Sequence, residues 1–262
     1  MDKVIVITGA SSGIGAATSK LLGSKGDSLA ICARREKEIH GVAEESGPNA
    51  MAVVADATRR ADIERLRDAA IRRFGHIDVW INNAGRGIHR KVMELKDEDF
   101  DQIMAINVKS ALYGMQAIIP HFQERGQGHL INISSFLGRV PYVPLRSAYN
   151  AAKAALNALT ANLRVDLKST HPGIHVSVVM PGVVTTAFAA NAMFAPPQTG
   201  AWASSIPTQS ADQVAAVIAA LIDKPVAEVY TNPASAEIVK RYYEDVQAFE
   251  ENAFRPQGAG SR

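Results

Sequence analysis

Seven short runs of the chain are mostly apolar, with no strict alternation of apolar and polar positions: VIVIT (4–8), LAICA (29–33), AVVAD (52–56), DVWINNA (78–84), HLINIS (129–134), HVSVVMP (175–181) and VYTNP (229–233). A strand wetted on one side alternates apolar with polar residues, whereas a continuous run suits a parallel strand covered on both faces. Between the runs lie longer helical patterns, 14–24, 59–74, 97–123 and 149–170, long enough to cross from one parallel strand to the next. The alternation predicts an α/β fold in a single domain, a doubly wound parallel sheet of about seven strands with helices on both faces. Ligands of such sheets bind beyond the carboxyl ends of the strands, so the residues just after each run are the ones to search for chemistry. Two stretches break the rhythm. Residues 187–209 mix a proline pair, glycine, methionine and aromatics without a period, which predicts an apolar lid inside a domain spanning 1–254. Residues 255–262, RPQGAGSR, have a composition that predicts a disordered tail.

The closing stretch RPQGAGSR (255–262) is too polar and too rich in glycine to add to a core, and the composition of the rest bounds the fold further. The 262 residues are 47% hydrophobic and 21% charged, enough apolar material for one large core and ordinary for a soluble enzyme. A formal net charge of +2 gives no long-range field to collect nucleic acid, and the pairs Arg59-Arg60 and Arg72-Arg73 fall on helical patterns as solvated faces. The opening MDKVIVITGASSG is unlike a signal peptide, and no apolar run is long enough to span a membrane. Cys32 is the one cysteine, so no intrachain disulfide forms; within an apolar run it reads as a core residue of a protein in a reducing compartment, the cytoplasm. His171 and His175 are four apart, but Pro172 and Gly173 break the helix face they would share, and no other histidines have metal spacing. Neither a metal, nor nucleic acid, nor a membrane is expected as a partner.

Candidate chemistry begins after the first run, in TGASSGIG. Gly9 suits a sharp turn, Gly13 lets the backbone approach a pyrophosphate, and Gly15 allows close packing; Ser11, Ser12 and Ile14 complete the entry into a helix whose free N–H groups face an anion. A tight strand–helix turn without a ligand is the competing reading. An NAD site places an acid roughly twenty residues on, at the end of the second strand. Here Ala33-Arg34-Arg35 stands there, and each charge-assisted bond to a 2′-phosphate is worth roughly 1.5–3 kcal/mol, so the expected cofactor is NADP(H). Alternatively, the two arginines open a solvated helix with Glu36. In SAYNAAKAAL, Tyr149 and Lys153 stand four apart on one helix face. Two amphipathic side chains lying on a core explain the pair, and so does a reaction that needs a phenol beside a fixed positive charge.

With NNAG (82–85), NISS (132–135) and PGVVTT (181–186), these motifs resemble the classical short-chain dehydrogenase/reductase family, from about Val4 to Thr186 and then loosely to Pro233. The resemblance implies a single-domain Rossmann-type fold and a residue-by-residue assignment. Tyr149 matches the general acid/base, Lys153 its partner, Ser135 the serine that bonds the substrate carbonyl, and Asn107 the asparagine that holds a proton-relay water. Asp56 and Ala57 fall where adenine is bonded, and the backbone of Asn83, Ala84 and Gly85 lines the cofactor. Pro181, Gly182, Val184 and Thr186 fall where nicotinamide is held. Ser135 lies fourteen residues before Tyr149, one more than in many relatives, which places the extra residue in the loop 139–146; Ser134 is the fallback. Taken singly, Asn107 reads as a mid-helix polar residue, Ser135 as a strand-end hydroxyl bonding local backbone, Asp56 as a turn cap before Thr58, and Trp80 and Trp202 as core and lid. A free phenol has a pKa of about 10, and lowering it by ~3 units requires about 4 kcal/mol, far more than a solvated i, i+4 pair supplies. Lys153 therefore needs a dry cleft and the positive charge of oxidised nicotinamide to stabilise a phenolate.

Ala or Leu occupies 151, 152, 154, 155, 156, 158, 159, 161 and 163, more than one helical stripe, and the family commonly pairs subunits through this helix; a homodimer or homotetramer is expected. Three functions are compatible with the motifs: an NADPH-dependent carbonyl reductase or the matching secondary-alcohol dehydrogenase, a non-catalytic dinucleotide sensor or scaffold, and another Rossmann-type enzyme such as an epimerase or methyltransferase. Phe188, Met193, Phe194, Trp202 and Ile206, with Pro196 and Pro197, point to a mainly apolar carbonyl or alcohol as the small-molecule substrate.

Overall fold

The computed structural model describes residues 2–194 and 207–253. The proposed lid residues Pro196, Pro197, Trp202 and Ile206 and the tail 255–262 lie outside them. The chain runs β1 (Val4–Thr8), α1 (Gly13–Ser24), β2 (Ser28–Ala33), α2 (Glu36–Glu45), β3 (Ala50–Val54), α3 (Arg60–Phe74), β4 (Val79–Asn82) and α4 (Asp97–Met104). It continues through α5 (Ser110–Arg125), β5 (Gly128–Ile133), α6 (Ser147–Lys168), β6 (Ile174–Met180), the two-residue strands β7 (Val184–Thr185) and β8 (Gln209–Ser210), α7 (Ala211–Asp223), β9 (Glu228–Tyr230), α8 (Pro233–Glu244) and α9 (Val246–Ala253). Seven strands form one sheet in the order β3-β2-β1-β4-β5-β6-β9, every adjacent pair parallel. The doubly wound fold read from the apolar runs is the fold observed.

Successive side chains of a strand point to opposite faces, and β1 feeds two cores by this rule. Val4 and Val6 pack with Ile63 and Leu66 of α3, Ile118 and Phe122 of α5 and Leu156 of α6. Ile5 and Ile7 pack on the other side with Leu22 of α1, Ile39 of α2 and Ile218 of α7. A third cluster, including Ile88, Ile103, Phe136 and Val140, sits with Tyr149 and Val239 of α8. No helix among the described residues is long and apolar enough to cross a membrane.

Several elements differ in extent from the apolar pattern. β3 ends at Val54, two residues before the end of AVVAD, because Asp56 accepts hydrogen bonds from Thr58 N–H (2.9 Å) and Thr58 Oγ1 (2.8 Å) and turns the chain. β9 stops at Tyr230 because Asn232 accepts from Ala234 N–H at 3.0 Å and Pro233 opens α8. The stretch 97–123 is not one helix: a π turn, Ala105–Lys109, separates α4 from α5. Asn107 lies within it and donates to the Ile103 carbonyl at 3.0 Å.

Candidate active site

The strand order turns back between β1 and β4, and the two strand ends are stitched there by side chains. Thr8 Oγ1 accepts from the N–H groups of Asn83 (3.1 Å) and Ala84 (3.2 Å), while the Asn83 amide donates to the carbonyls of Thr8 and Gly9, both at 3.0 Å. Gly9 has φ +67°, and a Cβ on it would lie 2.7 Å from Ala84 Cα, so a larger residue would part the strands. Gly15 faces inward, where a Cβ would lie 2.5 Å from Asn83 Nδ2. α1 then begins without a side-chain cap and without an acid in its first turn, leaving its N–H groups and positive dipole end for an anion.

This crevice opens into a cavity of about 660 Å³. Gly9, Ser11, Ser12, Gly13 and Ile14 line it from the turn, Arg34 and Arg35 from the end of β2, Asp56 and Ala57 from beyond β3, and Asn83, Ala84 and Gly85 from beyond β4. Ser135 follows β5, Tyr149 and Lys153 reach in from α6, and Pro181, Gly182, Val184 and Thr186 follow β6. Of the residues singled out in the sequence for catalysis or cofactor binding, Gly15 and Asn107 are the two that stand behind the wall. Asn107 donates to the Arg86 carbonyl (2.9 Å) and accepts from Arg86 N–H (3.2 Å), so it braces the strand-end loop from beneath.

Close packing of small residues brings α6 to the strand ends: a Cβ on Gly138 would lie 2.7 Å from the Lys153 carbonyl carbon. Lys153 is buried and donates from Nζ to the Ile133 carbonyl at 2.9 Å, with Nζ 5.6 Å from the centroid of the Tyr149 ring. Desolvation lowers its pKa to about 7. Burial pushes the Tyr149 phenol above its ordinary value, and a hydrogen bond with Ser135 and the charge of Arg146 pull it partly back. The dry cleft that makes the Lys153 charge effective also opposes both charges. Ser135 therefore shares a bond with Tyr149, while the Ser134 hydroxyl turns away and donates to the Lys153 carbonyl at 3.3 Å. Ser135 Oγ also accepts from Leu137 N–H at 3.2 Å, so the local backbone bond expected of a strand-end hydroxyl is present too.

Arg35 donates from Nη2 to Ser11 Oγ (2.9 Å) and Ser12 Oγ (3.0 Å), which holds its guanidinium over the glycine turn; it also faces Glu38 at 3.6 Å. The uncapped helix, the Gly9–Ala84 approach and the cations at the end of β2 together fit a dinucleotide with its pyrophosphate on the turn. Sequence reasoning missed Arg86, His89, Arg146 and Asn191, which also line the cavity. Nothing in their spacing marks them, since loops far apart in sequence bring them together. Asp56 is the one acid in the lining among the described residues.

Residues 3–194 match the family model described as short chain dehydrogenase. An uncharacterised oxidoreductase of Staphylococcus epidermidis is 36% identical over 185 residues, 71% of this chain and 79% of its own. A short chain dehydrogenase/reductase from Burkholderia phymatum, solved in complex with NAD, superposes with a TM-score of 0.86 at 26% identity, over 98% of each chain. A short chain dehydrogenase from Burkholderia cenocepacia, solved with NADP, gives 0.80 at 26% identity over 97% of this chain and 98% of its own. The motifs, the doubly wound sheet and the matched span agree: the chain is an oxidoreductase of the classical short-chain dehydrogenase/reductase family.

Proposed function

We propose that the protein transfers a hydride between NADP(H) and a carbonyl, or the corresponding secondary alcohol, of a mainly apolar small molecule. The observation that carries this reading is the contact of Tyr149 with Ser135 in the same cavity as Lys153 and the glycine turn. Bound nicotinamide supplies or accepts the hydride. Ser135 and Tyr149 hold the substrate oxygen between two hydroxyls, and the Tyr149 hydroxyl gives its proton to that oxygen during reduction. The Lys153 ammonium, when protonated, offsets the negative charge left on Tyr149. In oxidation Tyr149 takes the proton back. Leu137, Val143 and Phe188 supply apolar wall, with the Phe188 ring 5.7 Å from that of Tyr149.

Preference for NADP(H) over NAD(H) follows from Arg35 over the glycine turn, with Arg34 beside it and no acid at the end of β2. Buried, unpaired Cys32 suits a reducing compartment, and we place the protein in the cytoplasm. Ala151, Ala154 and Ala158 form an exposed stripe on α6 that continues to Val165, 69% exposed, and this is the face we assign to a homodimer or homotetramer.

The test is NADPH consumption, with NADH in parallel, against ketones, aldehydes and acyl thioesters. Tyr149→Phe is expected to lower kcat by roughly 10²–10⁴-fold while nucleotide binding persists. Turnover unaffected by that substitution would overturn the mechanism. Nucleotide binding with no turnover of any carbonyl or alcohol would favour a sensor.

A further inference from the structure

Arg146 is, among the described residues, the partly buried arginine that no carboxylate faces. Among the described residues, Arg67, Arg90, Arg125, Arg139, Arg146 and Arg164 are partly buried. Five of them face a carboxylate: Arg67 with Asp68 at 2.7 Å, Arg90 with Asp99 at 3.7 Å, Arg125 with Asp78 at 3.0 Å, and Arg139 and Arg164 with Glu228 at 2.7 and 3.7 Å. Arg146 is the exception. Its Nη1 is buried without a hydrogen-bond partner, and the ionisable groups that bear on Arg146 and on neighbouring His89 include the Tyr149 phenol but no carboxylate.

Its position gives that imbalance a use. The guanidinium carbon lies 6.0 Å from the centroid of the Tyr149 ring, and the bare backbone of Gly87 makes room for Nη1. His89 and Arg86 line the same part of the cavity, and their available atoms are partly committed: His89 Nδ1 is 3.3 Å from the Phe194 carbonyl and Arg86 donates from Nε to the Asn191 carbonyl at 2.9 Å. Asp56, the one acid of the lining among the described residues, follows β3 and is tied to Thr58. The stretch 195–206 contains no acidic residue that could serve as a counter-charge. A buried guanidinium without its anion is costly, and a planar carboxylate matches its fork of donors.

We propose that the substrate carries a carboxylate a short chain away from its reacting carbonyl, and that Arg146 binds it while Ser135 and Tyr149 hold the carbonyl oxygen. The protein is then a reductase of oxo acids, or a dehydrogenase of the matching hydroxy acids, and Leu137, Val143 and Phe188 cover the apolar remainder. This rests on the oxidoreductase reading above. The redox step is unchanged by it, since the carboxylate takes no part.

The experiment compares oxo acids with their methyl esters, chain for chain, using NADPH and the native protein, Arg146→Met and Arg146→Lys. The acid is expected to have the higher kcat/KM in the native protein, and the acid-to-ester ratio to fall roughly ten- to hundred-fold in Arg146→Met, with partial recovery in Arg146→Lys. NADPH affinity, read by fluorescence, certifies that the variants fold. Equal handling of acid and ester by the native protein, or an equal fall for both in Arg146→Met, would overturn the inference. If no carbonyl turns over, quenching of bound NADPH fluorescence by saturated acids and their methyl esters reads the same site. Acid binding lost in Arg146→Met then supports the carboxylate site and counts against the reductase reading alone; equal binding of acid and ester, or none, sinks the site itself.

Discussion

Lys153 sets the pH behaviour of the free protein at the residue scale. An unfolded lysine titrates at its ordinary 10.5, whereas burial lowers the folded value to about 7. Between these values the unfolded chain holds a proton that the folded chain does not, so stability rises with pH through that window and carries the full burial penalty below about 7. Lys153→Met is therefore expected to stabilise the free protein at pH 6, by on the order of 2–4 kcal/mol, with the gain shrinking as pH rises toward 10. Urea unfolding of both proteins from pH 6 to 9.5 checks it; a constant difference would show that the ammonium is not desolvated. Arg35 governs nucleotide choice at the same scale. Arg35→Ala should raise the KM for NADPH roughly tenfold and leave that for NADH within about threefold, as initial rates will show.

At the scale of elements, the β1–α1 turn and the end of α5 show how packing decides the cost of one conformation. Gly9 and Gly126 both have positive φ, +67° and +69°. A Cβ on Gly126 meets nothing within 4 Å, whereas one on Gly9 would lie 2.7 Å from Ala84 Cα. Gly126→Ala is expected to cost about 1 kcal/mol, the strain of the left-handed region alone. Gly9→Ala should cost about 2–4 kcal/mol and weaken nucleotide binding, because the β1 and β4 ends must separate. Denaturant midpoints for the two variants test the difference, and equal losses would contradict it. The π turn at Ala105–Lys109 belongs to this scale too, since it turns Asn107 beneath the Gly85–Arg86 loop instead of leaving it on a regular helix face.

At the scale of the whole molecule, the inward face of α6 carries Tyr149, Lys153 and core residues, and its outward stripe is small and apolar. If that stripe meets a second copy, Ala158→Glu places two like charges in the contact. Light scattering at micromolar concentration should find the native protein as a dimer or tetramer and the variant as a monomer, with the Tyr149 site intact by nucleotide binding. A native monomer would refute the assignment.

The fold was legible in the chain because its signals are local. Apolar runs of strand length, helical periods between them, and glycines at one strand–helix junction state their structure within a few residues of themselves. The glycine turn, the strand-end arginines and the Tyr149–Lys153 pair were legible for the same reason, and all of them line one cavity. Strand limits were less so: Asp56 ends β3 by bonding Thr58, and Asn232 ends β9 by capping α8, choices that apolarity does not register. Only the tertiary structure decided the rest. It turned Ser135 rather than Ser134 to Tyr149, set Asn107 behind the wall, and brought Arg146, Arg86 and His89 into the lining of the cavity. Those outcomes depend on which distant residues meet and on how much water their meeting removes, and a side chain without its counter-charge can be recognised only once its neighbours are known.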